Sequence, residues 1–268
     1  MRKMLYLTLL CLLVVTSLAT AQNAVQPSRA VQFLPPVVRN AGPMAENGPQ
    51  GPPSYCNPCL FYGGDFDVQN PNADTFANEN IVPGGSPILS QIYSPFKVPK
   101  GQTWVVTGLF INSIAYPTAL DPVATPWEIR KGIKAKGGTG GKLVASGIAN
   151  GTMTPTGRFL GSTPEYTILV TFDPPVVLRP GRYWENVTPQ CTNANNPQCT
   201  AQGFTGFLES DMETKGGNNG YGPVEPWRFS FWNAPDFGLF WANTYQVHLQ
   251  RGEPGGDAFS AGVIGTVQ

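Results

Sequence analysis

From residue 165 to residue 187 the chain reads as two strands joined by a proline and glycine corner. Tyr166, Ile168, Val170 and Phe172 alternate with Glu165, Thr167 and Thr171. That period of two puts apolar side chains on one face of a sheet and polar ones on the other. Pro174, Pro175, Pro180 and Gly181 then punctuate the passage to Arg182, since proline removes ladder donors and glycine admits turns. Such a chain is constrained to an antiparallel sheet protein.

The same signature recurs from Tyr55 onward, over residues 91–98, 103–112, 127–131, 143–149, 166–172, 183–188, 204–208, 227–232, 237–241 and 245–249. A closing edge strand is expected over residues 259–265. Residues 103–112 are apolar on both faces, with Trp104, Val106 and Phe110 on one and Val105, Leu109 and Ile111 on the other, which places this strand centrally. About ten strands without a helical period predict an all-β fold, a two-sheet antiparallel β-sandwich of jelly-roll or immunoglobulin-like type, as one domain over residues 55–268. The glycine and lysine stretch 131–142 is a hairpin loop, for it lacks the residue order of a phosphate loop.

The N-terminus predicts the compartment. Arg2 and Lys3 precede an apolar run over residues 5–15 and then Ala19-Thr-Ala21. This is the pattern of a secretory signal peptide, residues 1–21, cut before Gln22. Its apolar run is shorter than the roughly 20 residues that span a bilayer, and no later segment is longer, so no membrane span is expected. Residues 22–54 carry seven prolines and read as a linker or surface arm, in which Val31-Gln-Phe-Leu34 has the pattern of a short edge strand. The mature chain is expected to be secreted, periplasmic or extracellular. Losing Arg2 and Lys3 takes the formal charge from zero to −2. A chain without a basic patch is a poor partner for nucleic acid.

Four cysteines remain after cleavage, as the close pairs Cys56/Cys59 and Cys191/Cys199. An exported chain with an even count favours disulfides, here two local ones. Zinc is the alternative, but the second pair is spaced too widely for the usual ligand pattern. Asp65, Asp67, Asn70, Asn72 and Asp74, followed by Asn78 and Glu79, form the densest run of oxygen ligands. It has two readings. Alternating Asp and Asn side chains can wrap one calcium ion, or they can close Asx turns with no metal.

His248 is the single histidine and shares its parity with Gln246 and Gln250, which reads as the wet side of a strand. Glu128 and Glu185 each stand beside a tryptophan and are the carboxylates a glycoside hydrolase or lyase on this fold would use. Trp232, on the opposite parity from Phe229 and Phe231, is expected to be exposed. With Asn218, Asn219 and Tyr221 it would form a sugar-stacking surface.

Several motifs together carry a resemblance. They are Cys56-Asn-Pro-Cys-Leu-Phe-Tyr-Gly-Gly-Asp65-Phe-Asp67, Asn70-Pro-Asn-Ala-Asp74, Phe96-Lys-Val-Pro-Lys-Gly-Gln-Thr-Trp104, Pro180-Gly-Arg-Tyr-Trp184, Pro189-Gln-Cys-Thr-Asn193 and Phe259-Ser-Ala-Gly-Val263. Over nearly all of residues 55–268 the chain resembles a family of exported bacterial β-sandwich proteins. The likeness implies export and the sandwich, and carries nothing about activity. The function expected is that of a non-catalytic module in structural or protein interactions at or outside the cell surface. The alternatives are a lectin-like module binding glycan or another extracellular polymer, and a hydrolase or lyase on Glu128 and Glu185.

Overall fold

The structure, a computed structural model, describes residues 53–65, 75–81, 88–115, 124–135, 137–160, 163–191, 205–210, 221–222, 230–251 and 258–268. All of them fall within one compact unit, Leu34–Gln268. The expected signal segment, the arm before Pro53 and its strand at Val31–Leu34 lie outside the described residues, as do Asp67, Asn70, Asn72, Asp74, Cys199, Asn218 and Asn219.

Two sheets pack face to face, as the alternating pattern requires. The first holds β1 (Cys59–Tyr62), β2 (Thr75–Ala77), β5 (Trp104–Ala115), β8 (Gly151–Leu160), β9 (Thr163–Leu178), β12 (Thr205–Ser210), β15 (Ala258–Phe259) and β16 (Ala261–Val267). The second holds β3 (Glu79–Ile81), β4 (Ile88–Val98), β6 (Thr125–Lys131), β7 (Lys142–Ala149), β10 (Gly181–Val187), β11 (Gln190–Cys191), β13 (Phe231–Ala234) and β14 (Leu239–Asn243). β5 is central, paired with β9 on one side and with β16 and β12 on the other. Only β3 and β11 pair in parallel among the described strands.

Aromatic side chains fill the space between the sheets. Phe61 of the first sheet stacks on Phe96 of the second at 6.2 Å, and Phe96 also stacks on Trp104 at 6.0 Å and on Tyr183 at 5.8 Å. Each such pair contributes about 0.5–1.5 kcal/mol beyond its area burial. A second, smaller apolar layer covers the outer face of the first sheet. There Tyr55 and the turn closed by the Cys56–Cys59 disulfide lie over Phe110, Tyr62 and Ile264. Gly262 permits this packing, because a Cβ there would stand 2.2 Å from the Phe110 ring.

Between β3 and β10 the edge of β4 is completed by side chains. The Asn78 Oδ1 accepts from the Ile92 N–H at 3.0 Å, and the Asn186 Nδ2 donates to the Ile92 carbonyl at 2.7 Å. The Asn78 amide also donates to the Val187 carbonyl at 2.8 Å. Both asparagines are fully buried, so their amides satisfy backbone groups that would otherwise be orphaned.

Four expectations are corrected. β9 does not end at the proline corner but runs through Pro174 and Pro175 to Leu178. The register jumps there from Gly108↔Thr171 to Val106↔Val176, so the prolines occupy a bulge where no ladder donor is needed. Residues 245–249 belong to helix α1 (Thr244–Arg251) rather than to a strand. The Asn243 side chain accepts from the Gln246 N–H at 3.3 Å, an N-cap that outweighs the apparent alternation. The segment expected to close an edge is interior, since β16 pairs with both β1 and β5. Finally, β8 was not expected, and it forms a hairpin with β9.

Candidate functional site

Glu128 and Glu185 are adjacent in register, with Glu185 opposite Ile129 and Asn186 opposite Glu128. Side chains of neighbouring residues alternate in face, so the two carboxylates project from opposite sides of the second sheet. Glu185 points inward with Tyr183, is fully buried, and neither of its oxygens has a hydrogen-bond partner. Burial drives its pKa well above the ordinary carboxyl range, which favours the neutral acid. Glu128 lies on the outer face, where it accepts from the Tyr93 hydroxyl at 2.9 Å and pairs with Arg130 at 2.5 Å. Arg130 in turn lies 4.8 Å from the Trp241 ring and donates to the Gly140 carbonyl at 3.2 Å. Burial works against the Arg130 cation, but the hydrogen bonds and charges of Glu128 and Tyr93 together outweigh it and raise its pKa. This cluster anchors the glycine-rich 131–142 hairpin. The two glutamates therefore do not face each other across one cleft.

A second charged cluster sits on the outer face of the first sheet. Arg158 bridges Asp65 at 2.7 Å and Glu165, whose Oε1 accepts at 2.8 Å. The Tyr62 hydroxyl donates to Asp65, while Thr156 donates to Glu165 at 2.6 Å. Asn112 joins Ser260 at 2.8 Å and Thr167 at 2.7 Å to the same patch. Burial opposes the Arg158 charge, yet Glu165 and Asp65 together hold the guanidinium firmly protonated. Glu165 and Thr167, read from the sequence as the wet side of β9, are thus buried. Asp65, first among the expected calcium ligands, meets its counter-charge in Arg158. Asn78, read with that same run, is part of the buried amide network of β4.

Of the expected sugar-binding residues, Trp232 is a correction. It is 3% exposed, meets Phe76 edge-on at 5.0 Å and donates from Nε1 to the Ser90 hydroxyl at 2.7 Å. The parity argument failed because β13 has both faces covered, with Phe231 against Trp184 on the other side. Tyr221 is 44% exposed and exchanges two backbone hydrogen bonds with Tyr62. His248 lies in α1, not on a strand face. The Cys56–Cys59 pairing is present, and Cys191 ends β11.

The feature with open space and exposed backbone is elsewhere. β7 is the last strand of the second sheet and pairs with β6 alone. After Asn150 the chain crosses to the first sheet, where β8 pairs with β9 only as far as Gly151↔Val170. Among the described residues, β9 beyond Val170 therefore lacks a neighbour on that side. Two free strand edges, one from each sheet, face each other across a groove of about 800 Å³ lined by Trp127, residues 145–150 and residues 171–176.

Small side chains on β7 let an aromatic floor pack against it. The register Trp127↔Gly147, Ile129↔Ala145 and Thr125↔Ala149 turns Ala145, Gly147 and Ala149 toward the interior. Beneath them the Trp127 and Phe172 rings stack at 4.0 Å and 16°. A Cβ at Gly147 would approach the Trp127 Nε1 to 3.0 Å. Asn150 also lines the groove, and Asp173 is the one charged residue in the lining. The arrangement can bind an extended molecule through backbone hydrogen bonds and an apolar floor. No protein-family model matches the chain, and no curated protein is significantly similar to it.

Proposed function

We propose that the chain is an exported, non-catalytic β-sandwich module that acts by binding, in structural or protein interactions at or outside the cell surface, and that the groove between β7 and β9 is its binding surface. The observation that carries this reading is the pair of free strand edges facing one groove over an aromatic floor. Unpaired backbone donors and acceptors at a sheet edge are a ready template for association. The divergent glutamates support a role without chemistry. Glycan binding is the second reading, favoured by Trp127 and Phe172 in one groove with Asn150 and Asp173, a mixture of apolar ring and hydroxyl-reading groups.

The test is a nuclear magnetic resonance titration of the mature chain with two probe sets, random-library heptapeptides and a panel of soluble oligosaccharides. A probe of either set is expected to shift the Trp127 indole N–H and the amides of residues 145–150 and 171–176. Shifts confined to another surface, or none with either set, overturn the reading.

A further inference from the structure

We infer that the occupant of the groove is an extended polypeptide, added to the second sheet as one more strand beside β7; this rests on the groove being the binding surface. The two facing edges differ in what they offer. On the β9 side, Pro174 and Pro175 lack N–H groups and sit in a register bulge, the usual means of blunting an edge against strand addition. On the β7 side, residues 144–149 (Val-Ala-Ser-Gly-Ile-Ala) carry no proline and no charge, and among the described residues none of their free edge is paired. An edge left bare opposite one that is blunted directs a guest strand to β7.

The stretch that lines the groove, residues 145–150, extends about 20 Å at the rise of a strand, long enough for an ordinary strand pairing. Main-chain hydrogen bonds along such an edge supply affinity without sequence preference, and alternate side chains supply the preference. Here every second guest residue would turn inward over Ala145, Gly147 and Ala149. The groove above Trp127 and Phe172 fits branched or aromatic apolar groups. Asp173, as the sole charge in the lining, favours a neutral or basic segment over an acidic one. A polysaccharide would gain nothing from the regular spacing of β7 amides and carbonyls.

The experiment takes the strongest binder selected from a displayed random-heptapeptide library on the mature wild-type chain, and remakes it with N-methyl groups at alternate positions. In a strand added to an edge, only every second N–H points at the neighbour. One set of N-methylations is expected to weaken binding about tenfold or more and the other set less than about threefold. Ala149→Leu is expected to abolish binding by filling the groove, whereas Val267→Lys, 53% exposed on β16 and outside the groove lining, leaves it unchanged. Failure of the library to enrich any peptide, or equal sensitivity to both N-methyl sets, overturns strand addition. Oligosaccharides that shift the groove resonances while peptides do not would overturn the polypeptide but keep the groove as the binding surface. Peptide binding that shifts only distant resonances would overturn both.

Discussion

At the scale of single residues, Glu185 and Arg158 answer burial in different ways, one by staying neutral and the other by pairing. Glu185 is buried without a partner, so its neutral form is the one that folds. The unfolded chain releases that proton near the ordinary value of 4.5, while the folded chain retains it to a higher pH. Stability contributed by the bound proton is therefore full below pH 4.5 and is lost as pH rises, by about 1.4 kcal/mol per unit until the folded group also ionises. Glu185→Gln is expected to flatten this slope in melting curves recorded between pH 4.5 and 8. Parallel slopes for the wild type and the variant would refute the assignment. Arg158→Met removes the cation from two buried carboxylates, Asp65 and Glu165, and is expected to lower stability by about 3–5 kcal/mol. Chemical denaturation of the wild type and the variant at pH 7 reads that deficit. A deficit below about 1 kcal/mol would show that Arg158 contributes no more than an exposed ion pair. Neither role was legible in the sequence, where Glu165 sits at a wet position of the alternation and Glu185 has no partner pattern.

Elements were more legible than residues because their signal is the backbone period. β4, β5, β6, β7 and β10 appear within a few residues of their expected bounds, each marked by apolar alternation and turn residues. β8 was missed because Thr152 and Thr154 are exposed, and the alternate positions that pair with the inward residues of β9 are Gly151, Met153 and Pro155, none of them a strong strand former. α1 was missed because eight residues hold too few periods to separate 3.6 from 2; the N-cap Asn243 with Gln246 three residues later was the available clue. The disulfide turn was visible as a cysteine pair, but the outer layer it closes was not. Cys56→Ser with Cys59→Ser is expected to lower stability by roughly 2 kcal/mol while the sandwich stays folded. Hydrogen exchange should then rise at Tyr62, Asn112 and Thr167, beneath the turn, and remain slow at Phe96 and Leu109 between the sheets. Uniform acceleration across both layers would show that the two are not separate.

At the scale of the whole molecule, the described residues leave the sandwich unsealed between β7 and β9, and only the register reveals it. Ala145, Gly147 and Ala149 read in the sequence as ordinary strand positions; only their pairing to the last inner face of the second sheet makes them the rim of a groove. A fold selected for stability alone would fill that space, since buried methylene groups contribute about 0.8 kcal/mol each and natural chains commonly trade such gains for function. Ala149→Leu is accordingly expected to stabilise the sandwich by about 1 kcal/mol, part of the transfer term being offset by lost side-chain freedom. In a domain of this size that corresponds to a rise in Tm of about 2–4 °C, read by calorimetry on the mature chain. The same substitution should close the floor of Trp127 and Phe172 to ligand, so stability and binding should move in opposite directions. A Tm that falls would show that β7 is already packed against β9 as tightly as the sheets allow, and the groove would then be a shallow surface feature with no room for a guest strand.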